Sequence, residues 1–300
     1  MAYVSYTDVP LYFGTATNGS TLPTKTDGGS KGVYCQQVQL NYTPNIAPVR
    51  LVGKKPTKDN FNLAGAPNSS LSFSAYLESG ASASFDPADY TGQVGNIGSS
   101  FILGDSGNGI SGSGAFMTSF SYTITPYAPV LIQCDFAIYN PLTTTNIGGQ
   151  IAADAEESET MLPSLDFGKY GHGVYSTFSG RNNSDVLVAA TTNLSDIEVF
   201  ESINYQFSAN RQPIYKIGSY YLDAQELITA EQTLQIQGDN IQNLVSITGS
   251  NPGKLQIDIK NSDSETLLTS AIDGRLTAEN VSIAGGGLAR GTVSIVELLK

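Results

Sequence analysis

Few residues of this chain have the type and spacing that catalysis or metal binding requires. His172 is the only histidine among 300 residues, and it stands between Gly171 and Gly173. A general base needs a neighbouring nucleophile and a rigid position, and a zinc site needs several Cys or His ligands. A single histidine between two glycines meets neither condition. We therefore expect a solvated loop residue here.

A glycine fingerprint of the dinucleotide-binding type occurs at residues 107–112, with the letters GNGISG. That motif binds phosphate only between a strand and a helix whose N-terminus receives the phosphate. Residues 115–124 alternate as a strand does, so no helix follows the glycines. The segment is predicted to be a hairpin loop.

An acidic segment at residues 152–162 contains Asp154, Glu156, Glu157 and Glu159. Carboxylates bind Ca²⁺ when they alternate around a central glycine. That spacing is absent, so we predict a short helix with a solvated acidic face. No metal, cofactor or catalytic residue is expected in the chain, and the protein is not expected to be an enzyme.

The composition favours a wide β-surface over a soluble helical enzyme. Charged residues make up 14% and hydrophobic residues 40% of the chain, so much of the polar surface must come from Ser, Thr, Asn, Gln and Gly. The net charge of -12 repels phosphate, and tight binding of nucleic acid is not expected.

Location and redox state are predicted from apolar runs and cysteines. No apolar run approaches the roughly 18 residues that span a membrane, and residues 1–6 lack the features of a signal peptide. We expect a protein that is made in the cytoplasm and does not enter a membrane. Cys35 and Cys134 lie in strand-like apolar runs and are predicted to be buried free thiols.

Alternating apolar residues predict a mainly β fold. In the first half, Val38, Leu40 and Tyr42 alternate with polar residues, as residues 71–75 also do. Residues 116–124 are predicted to place Phe116 and Phe120 on one face, and residues 130–139 form the next strand. Further strands are predicted at residues 197–207, 214–217, 233–237, 255–259, 276–283 and 292–299. Residues 221–230 lack a period of two and are predicted to be a short helix or a strand.

These segments divide the chain into an extended arm (1–32), a first β module (33–140), a connector with a short acidic helix and a loop (141–192) and a second β module (193–300). The second module repeats the order of the first. Asn41-Tyr42 corresponds to Asn204-Tyr205, LSF at 71–73 to LQI at 234–236, and the closing strand 130–139 to 292–299. We predict a duplication.

Several stretches resemble tail-tube proteins of tailed bacteriophages. They are VQLNYTPN at 38–45, PVRLVGK at 48–54, FNLAG at 61–65, and GAFMTSFSY at 114–122 followed by PV at 129–130. The resemblance covers roughly residues 33–140, with a fainter likeness in 193–300. It implies two tandem β-sandwich or split-barrel modules with short flanking helices.

The resemblance also implies a function. Such modules assemble as rings of six around a channel, so three chains with two modules each would close a pseudo-sixfold ring. The chain would be a virion protein of the tail, assembled in the host cytoplasm. Its partners would be copies of itself, the tape measure, baseplate and tail terminator proteins, and a sheath in a contractile tail. DNA would pass in transit without being held.

Acidic residues in or beside predicted strands are the candidates for the channel wall: Asp135, Glu201, Asp258 and Glu279. Two alternatives remain open at the level of the sequence. One is another ring component of the virion, such as a baseplate, neck or capsid decoration protein. The other is a carbohydrate-binding receptor module, although sugar sites usually include Trp and the chain has none.

Overall fold

The fold is taken from a computed structural model, which describes part of the chain. The described residues are 11–14, 31–33, 35–48, 61–63, 68–76, 87–92, 98–104, 109–125, 128, 130–145, 200–217, 219, 221–238, 254–260, 266–273, 275–283 and 289–300. The predicted acidic helix at 152–162 and His172 lie outside these residues.

The described part is almost entirely β-structure, which confirms the prediction of a mainly β fold. Its one helix, α1, has four residues (Ala88–Thr91). The strands are β1 (Leu11–Phe13), β2 (Lys31–Val33), β3 (Cys35–Thr43), β4 (Ile46–Pro48), β5 (Phe61–Leu63), β6 (Asn68–Tyr76), β7 (Ser99–Leu103), β8 (Gly109–Ile124), β9 (Leu131–Ile138), β10 (Thr143–Thr145), β11 (Phe200–Tyr215), β12 (Leu222–Gly238), β13 (Lys254–Lys260), β14 (Thr266–Asp273), β15 (Arg275–Ile283) and β16 (Ala289–Leu298).

Twelve of these strands form one antiparallel sheet that runs through both halves of the chain. One path through the sheet has the order β3, β6, β9, β8, β11, β12, β16, β15. The strands β2, β1 and β7 branch from β8, and β10 also pairs with β8. The pairs β4–β5 and β13–β14 are separate hairpins.

The branch point is the long strand β8. Its residues from Ser119 to Ile124 pair with β11, whereas the residues around Gly112 pair with β7. A bulge between Met117 and Ser119 separates the two parts. The prediction that Phe116 and Phe120 share one face is wrong, because the bulge shifts the alternation. Met117 joins the core instead, and Phe116 packs elsewhere.

The branch of β8 folds back over the sheet and encloses an aromatic core. Phe13 of β1 lies 4.8 Å from Phe136 of β9 and 5.6 Å from Phe73 of β6, measured between ring centroids. Tyr90 of α1 and Phe101 of β7 complete the cluster. Two β layers that bury aromatic rings between them form a sandwich-like unit. The predicted N-terminal arm therefore contributes at least one strand, β1, to this core.

A second cover lies over the later strands of the sheet. The hairpin β13–β14 buries Ile257, Ile259, Leu268 and Ile272 in the same hydrophobic core. The hairpin is bonded to the sheet through Gln232 of β12, whose Nε2 donates a hydrogen bond to the backbone carbonyl oxygen of Ala271 at 3.1 Å. The hairpin thus covers one face of the sheet in the second half.

Strands β11 and β12 form a long hairpin that extends past the end of their pairing with β8. Residues 222–230 belong to β12, so the helical alternative for the segment 221–230 is wrong. Bulges between Asn210 and Arg211 and between Ile214 and Tyr215 interrupt the period of two, which explains the irregular pattern.

The base of the long hairpin is held by a buried arginine. Arg211 donates hydrogen bonds from Nε to the carbonyl oxygen of Met117 at 2.8 Å and from Nη2 to that of Thr91 at 3.2 Å. Its guanidinium also lies 5.5 Å from the centroid of the Phe116 ring. Burial lowers the pKa of Arg211 from its ordinary value. These contacts connect α1, β8 and β11.

We predict that Gly114→Ala destabilises the fold by about 1–3 kcal/mol. Gly114 has φ +66, and a Cβ there would lie 2.8 Å from Nδ2 of Asn140. Moving Asn140 aside would break a hydrogen bond, because its Oδ1 accepts one from the backbone N–H of Leu222 at 2.7 Å.

Urea denaturation measures this effect, and Gly92→Ala is the matched control. A Cβ at Gly92 meets nothing within 4 Å, so we expect a change below about 0.5 kcal/mol there. Equal effects of the two substitutions would contradict the strain at Gly114.

Candidate functional site

The side of the sheet that no described strand covers presents a broad surface of mostly polar residues, which we call the polar face. Because side chains alternate along a strand, the residues that alternate with core residues belong to it. None of its members is fully buried. The polar face consists of Gln37, Gln39, Asn41, Ser70, Ser72, Ser74, Leu131, Gln133, Asp135, Ala137, Ser119, Ser121, Thr123, Ser202, Asn204, Gln206, Ser208, Glu231, Thr233, Gln235, Gln237, Thr292, Ser294 and Val296.

The register aligns these residues in rows that cross the sheet. In one row Ser121 of β8 pairs with Gln133 on one side and with Gln206 on the other, and Gln206 pairs with Thr233. The face extends over seven strands, from β3 to β16, which corresponds to roughly 30 Å at the usual strand spacing. It is continuous across the junction between the two halves.

Hydrogen bonds between neighbouring strands hold the polar side chains in place. Ser119 Oγ donates to Oδ2 of Asp135 at 2.5 Å, and Ser208 Oγ donates to Oε1 of Glu231 at 3.5 Å. Asn41 Nδ2 donates to Ser70 Oγ at 3.5 Å. Side chains that bond to each other across strands present a preorganised surface.

Within its seven strands, the polar face has acidic members but no basic ones: its ionisable residues are Asp135 and Glu231. Basic residues occur at its border with β15, where Arg275 pairs with Val296 and Arg290 continues the alternation of β16. Hydroxyl and amide groups bind phosphate weakly without a cation, and carboxylates repel it. The arrangement can therefore lie close to a polyanion without retaining it.

The four predicted acidic residues lie at different places in the fold. Asp135 is an exposed member of the polar face, in β9. Glu201 is the second residue of β11, beside the face, and its Oε2 accepts a hydrogen bond from Nε2 of Gln237 at 3.2 Å. Asp258 lies in the separate hairpin, opposite Thr269. Glu279 lies in β15, where it pairs with the buried Val293. The fold brings only Asp135 and Glu201 to this surface.

Sequence reasoning missed Glu231 and the uncharged members of the face. Glu231 falls between the segment 221–230, predicted to be a helix or a strand, and the strand predicted at 233–237, so it was assigned to no element. The signal that identifies the uncharged members is the repeated Ser, Thr, Asn or Gln at every second position of a strand, as at Ser70, Ser72 and Ser74.

Behind the face, a buried polar network joins the sheet to the β13–β14 hairpin. Tyr205 donates a hydrogen bond from its hydroxyl to Oε1 of Gln232 at 2.6 Å, and Gln232 Nε2 donates to Oε2 of Glu297 at 2.6 Å. Tyr122 stacks on Tyr205, with ring centroids 5.1 Å apart. Burial raises the pKa of both tyrosines above the ordinary value, so their hydroxyls stay protonated.

The chain matches no protein-family model, and no curated protein matches it.

Within the described segments, the motifs that resemble chemical sites are structural. Residues 109–112 of the glycine fingerprint belong to strand β8, so the predicted loop is wrong for them: residues 110–112 pair with β7, and the strand continues beyond them. Residues 107–108 lie outside the described residues. No group of three or more His, Cys, Asp or Glu side chains positioned to hold a metal ion occurs among the described residues. Among the same residues, no helix is long and apolar enough to cross a membrane.

Cys35 and Cys134 are free thiols, as predicted. Burial raises the pKa of Cys35 from 9.0 to about 12 and that of Cys134 well above 9.0. Because the thiolate is the reactive form, we expect Cys35 to react at pH 8 roughly a thousandfold more slowly than in the unfolded chain. Maleimide labelling with and without urea measures the ratio. An exposed Thr123→Cys thiol serves as the fast control, and equally fast labelling of the native thiols would contradict their burial.

Proposed function

We propose that this chain is a structural subunit of a bacteriophage tail tube, in which the polar face lines a channel for DNA. The observation that carries the proposal is the extent and charge of that face. Seven neighbouring strands present Ser, Thr, Asn and Gln with the carboxylates of Asp135 and Glu231. A single binding pocket for a small ligand would not need such a uniform surface.

The physical requirement of a DNA channel supports this role. A wall with lysine or arginine would neutralise phosphates and release counterions, so the duplex would adhere to it. Carboxylates and neutral polar groups leave the counterions on the DNA. The duplex then slides past the wall without being bound.

The order of the strands supports the tandem modules in the proposal. The first four strands of the path, β3, β6, β9 and β8, have the same spatial order as the last four, β11, β12, β16 and β15. In both sets the first two strands along the chain are neighbours, and the fourth lies between the second and the third. A bulge interrupts the third strand of each set, after Met117 in β8 and after Leu276 in β15.

Electron microscopy of the purified chain tests the proposed function. We expect hollow tubes or rings with threefold symmetry of chains and sixfold symmetry of modules, and the polar face on the inner wall. In the virion, a tube protein would be present in many copies along the tail, whereas a baseplate or neck protein would be present in one ring. A monodisperse monomer at high concentration would contradict the proposal.

A further inference from the structure

The path from β3 to β15 ends in two open strand edges. Among the described strands, β3 pairs only with β6 and β15 pairs only with β16. Open edges of natural sheets are usually protected by charged residues or proline, because their unpaired N–H and C=O groups bind other strands. The sequence of β3, CQQVQLNYT, contains neither, so its edge is open to an added strand. The other edge strand, β15, contains Arg275 and Glu279 but no proline.

The chain itself contains a model for that addition. Between the two sets of strands, β8 pairs antiparallel with β11, with Tyr122 opposite Tyr205. In the second set β15 has the position of β8, and in the first set β3 has the position of β11. The edges of β15 and β3 are thus equivalent to the two edges that already join inside the chain.

We infer that β15 of one copy pairs antiparallel with β3 of a second copy, in the register of the β8–β11 junction. When β15 is superposed on β8 at their bulges, Leu276 corresponds to Met117, and further along the two strands Val281 corresponds to Tyr122. When β3 is superposed on β11, Leu40 corresponds to Tyr205. The reason is that Leu40 pairs with Leu71 as Tyr205 pairs with Leu234. The resulting pairs between copies are Val38 with Ile283, Gln39 with Ser282, Leu40 with Val281, and Asn41 with Asn280.

The types of the paired residues agree with this register. Val38 and Leu40 meet β-branched residues, while Gln39 and Asn41, both members of the polar face, meet Ser282 and Asn280. No like charges are placed opposite each other. The contact joins two different edges, so it repeats head to tail and closes into a ring when the rotation permits. The inference rests on the proposed function, since it names the contact on which the proposed ring depends.

Cross-linking between copies tests the register. Two full-length variants, Asn41→Cys and Asn280→Cys, are mixed and treated with a short thiol-specific cross-linker. We expect a covalent dimer from the mixture and not from either variant alone. The double variant should give a ladder of products that ends at the number of chains in the ring. The native cysteines contribute little background, because Cys134 is buried and Cys35 is half-buried with a raised pKa; the unsubstituted chain measures what remains.

Two controls accompany the mixture. Ser121→Cys with Gln206→Cys in one chain tests the template pair inside the molecule and should give a cross-linked monomer, heavier by one bridging reagent, and no dimer. Ser282→Cys in place of Asn280→Cys shifts the partner by two residues and should give about tenfold less dimer. Dimer yields that are equal for Ser282→Cys and Asn280→Cys, or no dimer while the template pair reacts, would overturn the inference.

A failure of this junction and a failure of the proposed function give different results. Tubes in the microscope together with no dimer in the mixture would refute this junction and leave the tube role standing. A cross-linked dimer in the stated register, from a chain that forms neither hollow rings nor tubes, would support the junction and refute the tube.

Discussion

Replacing Ser121, Gln206 and Thr233 with lysine is expected to make the chain bind duplex DNA, which the native chain is expected not to bind. These residues are neighbours in one row of the polar face, on β8, β11 and β12. Each lysine at a phosphate releases a counterion, and non-specific binding of this kind has a Kd on the order of 10⁻⁴–10⁻⁶ M. We expect affinity at least about tenfold above that of the native chain at low salt, falling as salt rises.

The measurement is fluorescence anisotropy of a labelled duplex at two salt concentrations. One control places lysines at Ser219, Tyr221 and Thr229 of the long hairpin, which gives the same change in net charge away from the face. A second control, Ser121→Gln, Gln206→Asn and Thr233→Gln, changes size without charge. If the hairpin lysines bind DNA as well as those on the face, the polar face has no special relation to DNA.

The mainly β fold could be predicted from the sequence because half-buried strands alternate. Residues 71–75 and 130–139 have one apolar and one polar face, and the structure contains β6 and β9 there. The same alternation defines the polar face. The strands of the second half at 255–259, 276–283 and 292–299 were predicted for the same reason and correspond to β13, β15 and β16.

Bulges account for the parts that sequence patterns could not give. At Met117 and Ser119 one extra residue reverses the faces of β8, so Phe116 was assigned to the wrong side. Around Arg211 and Ile214, bulges give β12 opposite them an aperiodic appearance, which resembled a helix. A bulge depends on the partner strand, and the partner is not visible in a local window.

The candidate acidic residues show the same division between local and global information. Asp135 reached the polar face because its strand alternates regularly and lies in the middle of the sheet. Asp258 also lies in a strand, but that strand belongs to a separate hairpin. The local sequence pattern predicted that both residues lie in strands. It could not predict which sheet each strand joins, because that depends on pairing with strands that are distant in sequence.

The proposed duplication draws on both kinds of information. The sequence aligns residues 71–73 with 234–236. Superposing the bulges of β8 and β15 and following the strand pairing gives the same alignment. The alignment of Tyr42 with Tyr205 differs by two residues from the ladders, which align Leu40 with Tyr205. A shift of two preserves the face of every residue. The alternation of polar and apolar residues therefore could not reveal the shift of two residues, and the register of the hydrogen-bonded strands was needed to determine it.

Phe136→Ala is expected to destabilise the chain by about 3–5 kcal/mol. The Phe136 ring is 1% exposed and lies within 6.1 Å of Phe13, Tyr90 and Phe73. Its loss leaves a cavity between the two layers of the first unit, which the surrounding rings cannot fill. Phe136→Leu keeps much of the volume and should cost less than Phe136→Ala. Tyr221→Ala, at a 63% exposed residue, should change stability by less than about 0.5 kcal/mol.

Urea denaturation of the Phe136 variants also tests whether the shared sheet couples the two halves. Strand β8 contributes Tyr122 to the stacked pair with Tyr205, which lies beyond the first aromatic cluster. Because one continuous sheet carries both groups, we expect the near-ultraviolet signal of the tyrosine pair to be lost at the same lowered urea concentration as the β-sheet signal. Loss of the sheet signal in two steps, with the tyrosine pair unaffected by Phe136→Ala, would show that the halves unfold independently. The junction between β8 and β11 would then be a weak contact between modules, and an equivalent contact between copies would need more than strand pairing to hold a ring.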